Sequence, residues 1–308
     1  MGDTVDRRTV LKALPLCAAC AASGVLGVRE LKRSFSPSET PSVADTTLPA
    51  PIDPLRDEGA RRAIESLDGT QVDSLHKIKY FDQTYDDDYL LGESQMEVLR
   101  SASARVERAQ NLVGHGNFNL LSFDQLLRFA QNYSQIGAFS REELEFLEEL
   151  FYANASEYGF FGEKVIEDLT ERIPDREVAK IAGSGHYLLK GLSLERFTQI
   201  RHDIGETITL TSGVRSLVKQ YQLFLRKAVE TEGNLSQASR SLAPPGYSFH
   251  ARGDFDIGKR GFGLKNFTES FGETEEFRKL IDMGYISIRY TETNPYGVRH
   301  EPWHIKIA

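Results

Sequence analysis

Cysteine is nearly absent from this 308-residue chain: there are two, Cys17 and Cys20, and both lie in an N-terminal apolar run. If that run is removed as a signal, no disulfide can form in what remains, and a metal site has to be built from histidines and carboxylates. Basic tracts are missing after the first 35 residues, and the net charge is −8. Those two facts argue against a nucleic-acid partner. No repeat, heptad array or glycine-rich phosphate loop is present. Helix-acid-helix patterning raises the question of calcium-binding hands, but the alternating Asp/Asn ligand series with its central glycine is lacking. What is there, 40% hydrophobic and 27% charged, describes an ordinary globular protein long enough for one large domain or two small ones.

The N-terminus carries an address. Arg7 and Arg8 precede an Ala/Gly-rich apolar stretch, Ala13 to Val28, and the combination resembles a twin-arginine secretion signal. Residues 1–28 are therefore expected to be a signal or anchor. Cleavage is expected between Ala19 and Ser23. An uncleaved anchor is the alternative, since the run is near the lower limit for spanning a bilayer. Lipid attachment at Cys20 is another, although Cys17 stands where a lipobox usually has Leu. This route carries folded proteins to the bacterial periplasm or cell envelope, and membrane contact is expected only through this segment. Residues 29–57 are rich in Pro, Ser and Thr and lack apolar periodicity, as a disordered linker does.

Folded structure is expected from residue 58. Its first part, to about residue 200, reads as helical. Val98, Leu99, Ala102, Val106 and Ala109 recur at three- and four-residue spacing, predicting a helix over 96–112. Ser122 with Gln125, and Ser140 with Glu143, are capping boxes opening two more. A further short helix is expected from Gly162 through Leu169. Asp86, Asp87 and Asp88 read as a solvated helix start. From residue 201 the period changes. Thr207 to Thr211 alternates like a strand, and Ser216 to Val229 is helical. Pro244-Pro245-Gly246 turns the chain, and Thr274 to Met283 forms a helix stopped by Gly284. Tyr285–Tyr290 and Trp303–Ile307 read as strands around a turn at Asn294–Gly297. Helices first and strands late indicate an α+β domain with a small, mainly antiparallel sheet, spanning 58–308.

Among seven histidines, His250 and His304 stand out by their surroundings. His250 follows the Pro-Pro-Gly turn and shortly precedes Asp254 and Asp256, and His304 follows Glu301 by three residues. On a regular strand residues three apart face opposite ways, but Pro302 interrupts the ladder, so both side chains could turn to one site. Two imidazoles and one carboxylate suit a catalytic zinc that keeps a position open for water, and Glu301 would then be a carboxylate free to act as base.

Three ordered segments carry a resemblance. Ser248-x-His250-x-x-Gly253 with Asp256-Ile257-Gly258, then Glu301-Pro302-Trp303-His304, and earlier Thr211-Ser212-Gly213-Val214-Arg215, are similar to the signature segments of the zinc D-alanyl-D-alanine carboxypeptidases. These are the VanY-type peptidases, related in fold to the Hedgehog signalling domain. The resemblance implies a Hedgehog/D,D-peptidase-like fold and one Zn2+ held by His250, Asp256 and His304. It implies removal of the terminal D-Ala from peptidoglycan stem peptides, with Glu301 as general base. Arg215 would face the developing oxyanion or the substrate's terminal carboxylate. Gln220 and Ser248 would line the substrate cleft, their other readings being helix surface and turn cap. An L,D-carboxypeptidase, a cross-link endopeptidase, or a wall-binding module that keeps the metal without turnover are the alternatives on this scaffold. In one respect the chain departs from the family: five residues, not the usual six, separate His250 from Asp256. Asp254 therefore competes as the ligand. Phe249 also stands where relatives frequently have Glu.

Overall fold

Serine caps set the helical half. The computed structural model describes residues 69–284 and 287–307, so the expected signal and linker lie outside the described residues. Helix α1 spans Gly69–Lys79 and α2 spans Glu93–Val113; a short α3, His115–Phe118, leads to α4 at Phe123–Asn132. In α4 the Ser122 hydroxyl accepts from the Gln125 amide while the Gln125 side chain accepts from the Ser122 amide. Ser140 and Glu143 repeat this ahead of α5, Arg141–Tyr152. Each such cap contributes about 1 kcal/mol. Leu99, Ala102, Val106, Leu126, Leu147 and Phe151 share one buried cluster, to which Val218, Tyr221, Phe224 and Leu225 of a later helix also belong.

A hairpin interrupts the helical stretch: β1, Val178–Lys180, pairs antiparallel with β2, Tyr187–Leu189. Helix α6, Leu192–Ile204, follows. Then come strand β3, Ile208–Ser212, helix α7, Leu217–Glu230, and a short α8, Leu235–Ser239. Strand β4 spans Phe255–Lys259, α9 spans Glu275–Asp282, and β5 is His304–Ile305. The three late strands form an antiparallel sheet in the order β3-β4-β5. Ile208, Leu210, Phe255, Ile257, Trp303 and Ile305 pack from this sheet against Phe197, Ile200 and Leu280 of α6 and α9. The α+β reading holds. No helix among the described residues is long and apolar enough to cross a membrane.

Two local expectations fail, each for a long-range reason, and two others are met in part. Residues 162–169 are not helical, because the Val165 and Ile166 amides both donate to the Gly246 carbonyl and hold the segment extended beside the Pro-Pro-Gly turn. Asp88 does not open a solvated helix. Its side chain is 2% exposed and is gripped by both terminal nitrogens of Arg240, at 2.7 and 3.1 Å. The region 58–200 is mainly helical where it is described, as expected, and also holds the β1–β2 hairpin. Of the strand expected at Tyr285–Tyr290, Ile288 makes a single bridge to Ile305, with Tyr285 and Ile286 outside the described residues.

Candidate metal centre

Strand β4 is the axis of the site. Asp256 lies opposite Ser212 of β3 and opposite His304 of β5. The register shifts between Leu210 and Ser212, and such a bulge re-aims the chain at the end of a strand. That end leads into Gly213, whose backbone closely approaches β2: a Cβ there would sit 2.0 Å from the Tyr187 carbonyl oxygen. His250 sits in a 3-10 turn, Phe249–Ala251. Its Nδ1 lies 2.7 Å from the Gly213 carbonyl oxygen. A carbonyl only accepts, so Nδ1 carries the proton and Nε2 is left with its lone pair in the neutral ring. His304 and Glu301 are brought together by a turn in which the His304 amide donates to the Glu301 carbonyl, so the proline-broken strand does bring both side chains to one side.

Nitrogens of His250 and His304 and an oxygen of Asp256 lie within 4.8 Å of one another, and all three residues are buried. His250 Nε2 is 3.3 Å and His304 Nδ1 3.2 Å from Asp256 Oδ1, and the two rings stand edge to face with centroids 4.8 Å apart. His250 Nε2 and Asp256 Oδ1 have no hydrogen-bond partner. A buried polar atom left without one costs about 1–3 kcal/mol. Here two such atoms and a third nitrogen converge on one point, and a divalent cation bound there would satisfy them together. Two imidazoles and one carboxylate are the donor set of an open zinc site. The residues present fit that ion.

The charges agree with the geometry. Burial disfavours the Asp256 carboxylate, yet the Arg215 guanidinium and His304 overrule it and hold its pKa well below the usual range. Burial and the Arg215 guanidinium push His250 down, keeping the ring neutral. His304 goes the other way: burial opposes protonation, but Asp254, Asp256 and Glu301 raise its pKa well above that of a free imidazole. A metal arriving here must displace that proton, so affinity falls as pH is lowered.

Glu301 Oε2 is 3.5 Å from His304 Nδ1, and its carboxylate is 10% exposed. Arg215 donates from Nη2 to Asp256 Oδ2 at 2.5 Å and from Nε to the Ser212 hydroxyl at 2.8 Å. It is thus an ion-pair partner of the ligand set, at the start of α7. Gln220 does not line an open cleft: it is buried, accepting from the Gly246 amide at 2.8 Å and donating to the Arg215 carbonyl at 3.2 Å. It ties the Pro-Pro-Gly turn to α7. Ser248 is buried and heads the turn that carries His250 without capping it. Both oxygens of Asp254 are engaged away from the centre, by His304 Nε2, Arg289 and the Ile307 amide.

Sequence reading missed Arg289 and Tyr290. Arg289 pairs with Asp254, and the Tyr290 ring stands 4.8 Å from that of His304. Both come from a segment read only as a strand, with no motif of its own. His186, in the β1–β2 turn, was one undistinguished histidine among seven. Its Nδ1 is buried without a partner, and burial with the field of Arg215 pushes its pKa down to about 4.

Residues 191–307 match the VanY family model, described as D-alanyl-D-alanine carboxypeptidase. The resemblance drawn from the motifs therefore holds over this segment, which contains every candidate site residue. No curated protein matches the chain. Among solved structures, that of the LdcB LD-carboxypeptidase, described as revealing the molecular basis of peptidoglycan recognition, is 25% identical with a TM-score of 0.34. The match covers 42% of this chain and 62% of that one. A mutant of the vancomycin-resistance D,D-pentapeptidase VanY, in complex with Zn(II), is 22% identical with a TM-score of 0.32, covering 44% of this chain and 81% of the other. VanYB in complex with D-alanine-D-alanine is 22% identical with a TM-score of 0.33, covering 44% and 80%.

Proposed function

We propose, from the VanY carboxypeptidase match over residues 191–307 and the buried donor set inside it, that this protein is a zinc-dependent D-alanyl-D-alanine carboxypeptidase acting on peptidoglycan stem peptides. The observation that carries the reading is the convergence of His250 Nε2, Asp256 Oδ1 and His304 Nδ1, two of them buried polar atoms without a partner. In this reading these three residues hold one zinc ion. When bound, zinc supplies Lewis-acid polarisation and lowers the pKa of a coordinated water to roughly 7.

The chain's own groups do the rest. Glu301, beside His304 and outside the ligand set, takes the proton of the attacking water on Oε2 and returns it to the leaving D-Ala amine. Arg215 supplies a fixed positive charge beside Asp256 that opposes negative charge developing on the scissile carbonyl or holds the substrate's terminal carboxylate. His250 is oriented by the Gly213 carbonyl, so its lone pair needs no reorganisation. The expected twin-arginine segment makes the bacterial periplasm or envelope, where peptidoglycan lies, the proposed location.

Incubation of the purified protein with muropeptides, followed by mass spectrometry, tests the reading. Loss of one alanine from a pentapeptide supports it. Shortening of a tetrapeptide instead assigns an L,D-carboxypeptidase, and binding without turnover by zinc-loaded protein replaces the enzyme with a wall-binding module.

A further inference from the structure

Asp254 and Asp256 are two residues apart where the chain enters β4, and extended backbone places such side chains on one face. They take opposite nitrogens of the same imidazole. Asp256 Oδ1 lies 3.2 Å from His304 Nδ1, and Asp254 Oδ2 lies 3.0 Å from His304 Nε2. Asp254 is not available to a metal in this arrangement. Its Oδ2 also accepts from Arg289 Nε, and its Oδ1 accepts from Arg289 Nη2 at 3.2 Å and from the Ile307 amide at 2.8 Å. The pair is buried, with side chains 0% and 3% exposed. Arg289 in turn lies over the Phe249 ring, its guanidinium carbon 3.5 Å from the centroid. Phe249 immediately precedes His250 in the sequence. One ion pair thus links the turn bearing one imidazole to the strand bearing the other.

We propose that Asp254, clamped by Arg289, is a positioning residue that fixes the tautomer and orientation of His304, so that Nε2 keeps its proton and Nδ1 faces the metal. This rests on the zinc reading above. A neutral imidazole can present either nitrogen to a cation. Carboxylates, which only accept, stand opposite both nitrogens. With a cation on Asp256 Oδ1 the proton has to leave Nδ1, and Asp254, which faces away from the centre, then holds the remaining one on Nε2. The Arg289 fork prevents Asp254 from rotating toward the metal as a fourth protein ligand, which keeps a coordination position for water. The shortened interval after His250 therefore does more than move a ligand: it brings a second carboxylate onto the metal-facing side of the sheet and gives it the other half of the same ring.

The test has two arms, both on the full chain. In zinc-loaded wild type labelled with 15N-histidine, long-range proton–nitrogen spectra should show His304 protonated at Nε2 and bare at Nδ1; the reverse tautomer overturns the proposal without any variant. Zinc affinity is then measured by competition with a chromophoric chelator. Asp254→Leu combined with Arg289→Leu removes both buried charges together, avoiding the unpaired arginine that Asp254→Ala alone would leave. The double variant should still bind one zinc, 10–100-fold more weakly than wild type, as loss of such an outer partner does. An unchanged affinity overturns the positioning role while leaving the metal site standing. A wild type that binds no zinc overturns the metal reading itself, and this proposal with it.

Discussion

Removing the Glu301 carboxylate should separate proton transfer from metal binding, because it stands outside the ligand set and its effect on His304 is shared with Asp254 and Asp256. Its nearest charged neighbours are His304 Nδ1 at 3.5 Å and Arg299 Nε at 3.9 Å, neither a close ion pair. Asp254 and Asp256 stay beside His304 when Glu301 is changed. The ligand set therefore keeps its geometry. A positioned general base contributes about 10²–10⁴-fold, which at about 1.36 kcal/mol per factor of ten is about 3–5 kcal/mol of transition-state stabilisation. Glu301→Gln keeps the shape and removes the basicity. We expect zinc content to stay at one equivalent by elemental mass spectrometry. D-Ala release from a pentapeptide should fall about 10²–10⁴-fold in kcat, with KM little changed. Two results refute this reasoning. If the variant comes off purification without zinc, Glu301 is a ligand. If it keeps more than a tenth of the wild-type kcat, the base is another group.

Two predictions concern stability. Arg240→Ala strands Asp88, whose carboxylate keeps only the Asn234 side chain at 2.7 Å and the Tyr85 amide at 3.0 Å; breaking a buried pair in this way costs about 3–5 kcal/mol. Urea unfolding reads the loss, and a change under about 1 kcal/mol would show the pair to be solvent-screened. Lys219 is half-buried on α7, donating to Gln110 of α2 at 2.8 Å and Gln222 at 2.7 Å, and the burial pushes its pKa down to about 7. Between that value and its unfolded pKa the unfolded chain binds the extra proton, so the penalty is full below about pH 7 and fades as pH rises. Lys219→Met should therefore stabilise the protein most at pH 6, with the difference from wild type shrinking by pH 9. A difference independent of pH would mean that Lys219 titrates normally.

The helices were legible where the information is local. Periodicity in α2 and the reciprocal caps of α4 and α5 involve residues three or four apart, and the structure keeps each of them. Residues 162–169 carry a similar apolar spacing, but the partner that decides them is the Gly246 carbonyl, about 80 residues on. Asp88 looked solvated because its neighbours Asp86 and Asp87 are charged, and the residue that buries it, Arg240, lies 152 positions away. The site was legible at the level of residue type, since His250, Asp256, Glu301 and His304 stand in ordered motifs and meet in space. What the motifs could not convey is direction. Gln220 reads as a polar helix residue free to meet a ligand, yet its amide is consumed by the Gly246 and Arg215 backbones.

Five residues separate His250 from Asp256, one fewer than the resemblance leads one to expect, and the two side chains still meet. In a strand, a one-residue slip turns every side chain to the other face. The phase of β4 is fixed independently, by pairing of Asp256 with Ser212 on one side and with His304 on the other. The slack must then be absorbed before the strand begins. Gly253 stands there with φ +118°, a conformation costly for any residue with a Cβ. Its carbonyl accepts from the Ser193 hydroxyl at 2.8 Å, and a Cβ would come within 2.6 Å of that same oxygen. The turn is thus anchored to α6 rather than left to drift, and Asp254 emerges from it already aimed at His304 Nε2. Gly253, Asp254 and Arg289 thus act together: the glycine turn, tied to α6, delivers Asp254 to a partner already in place.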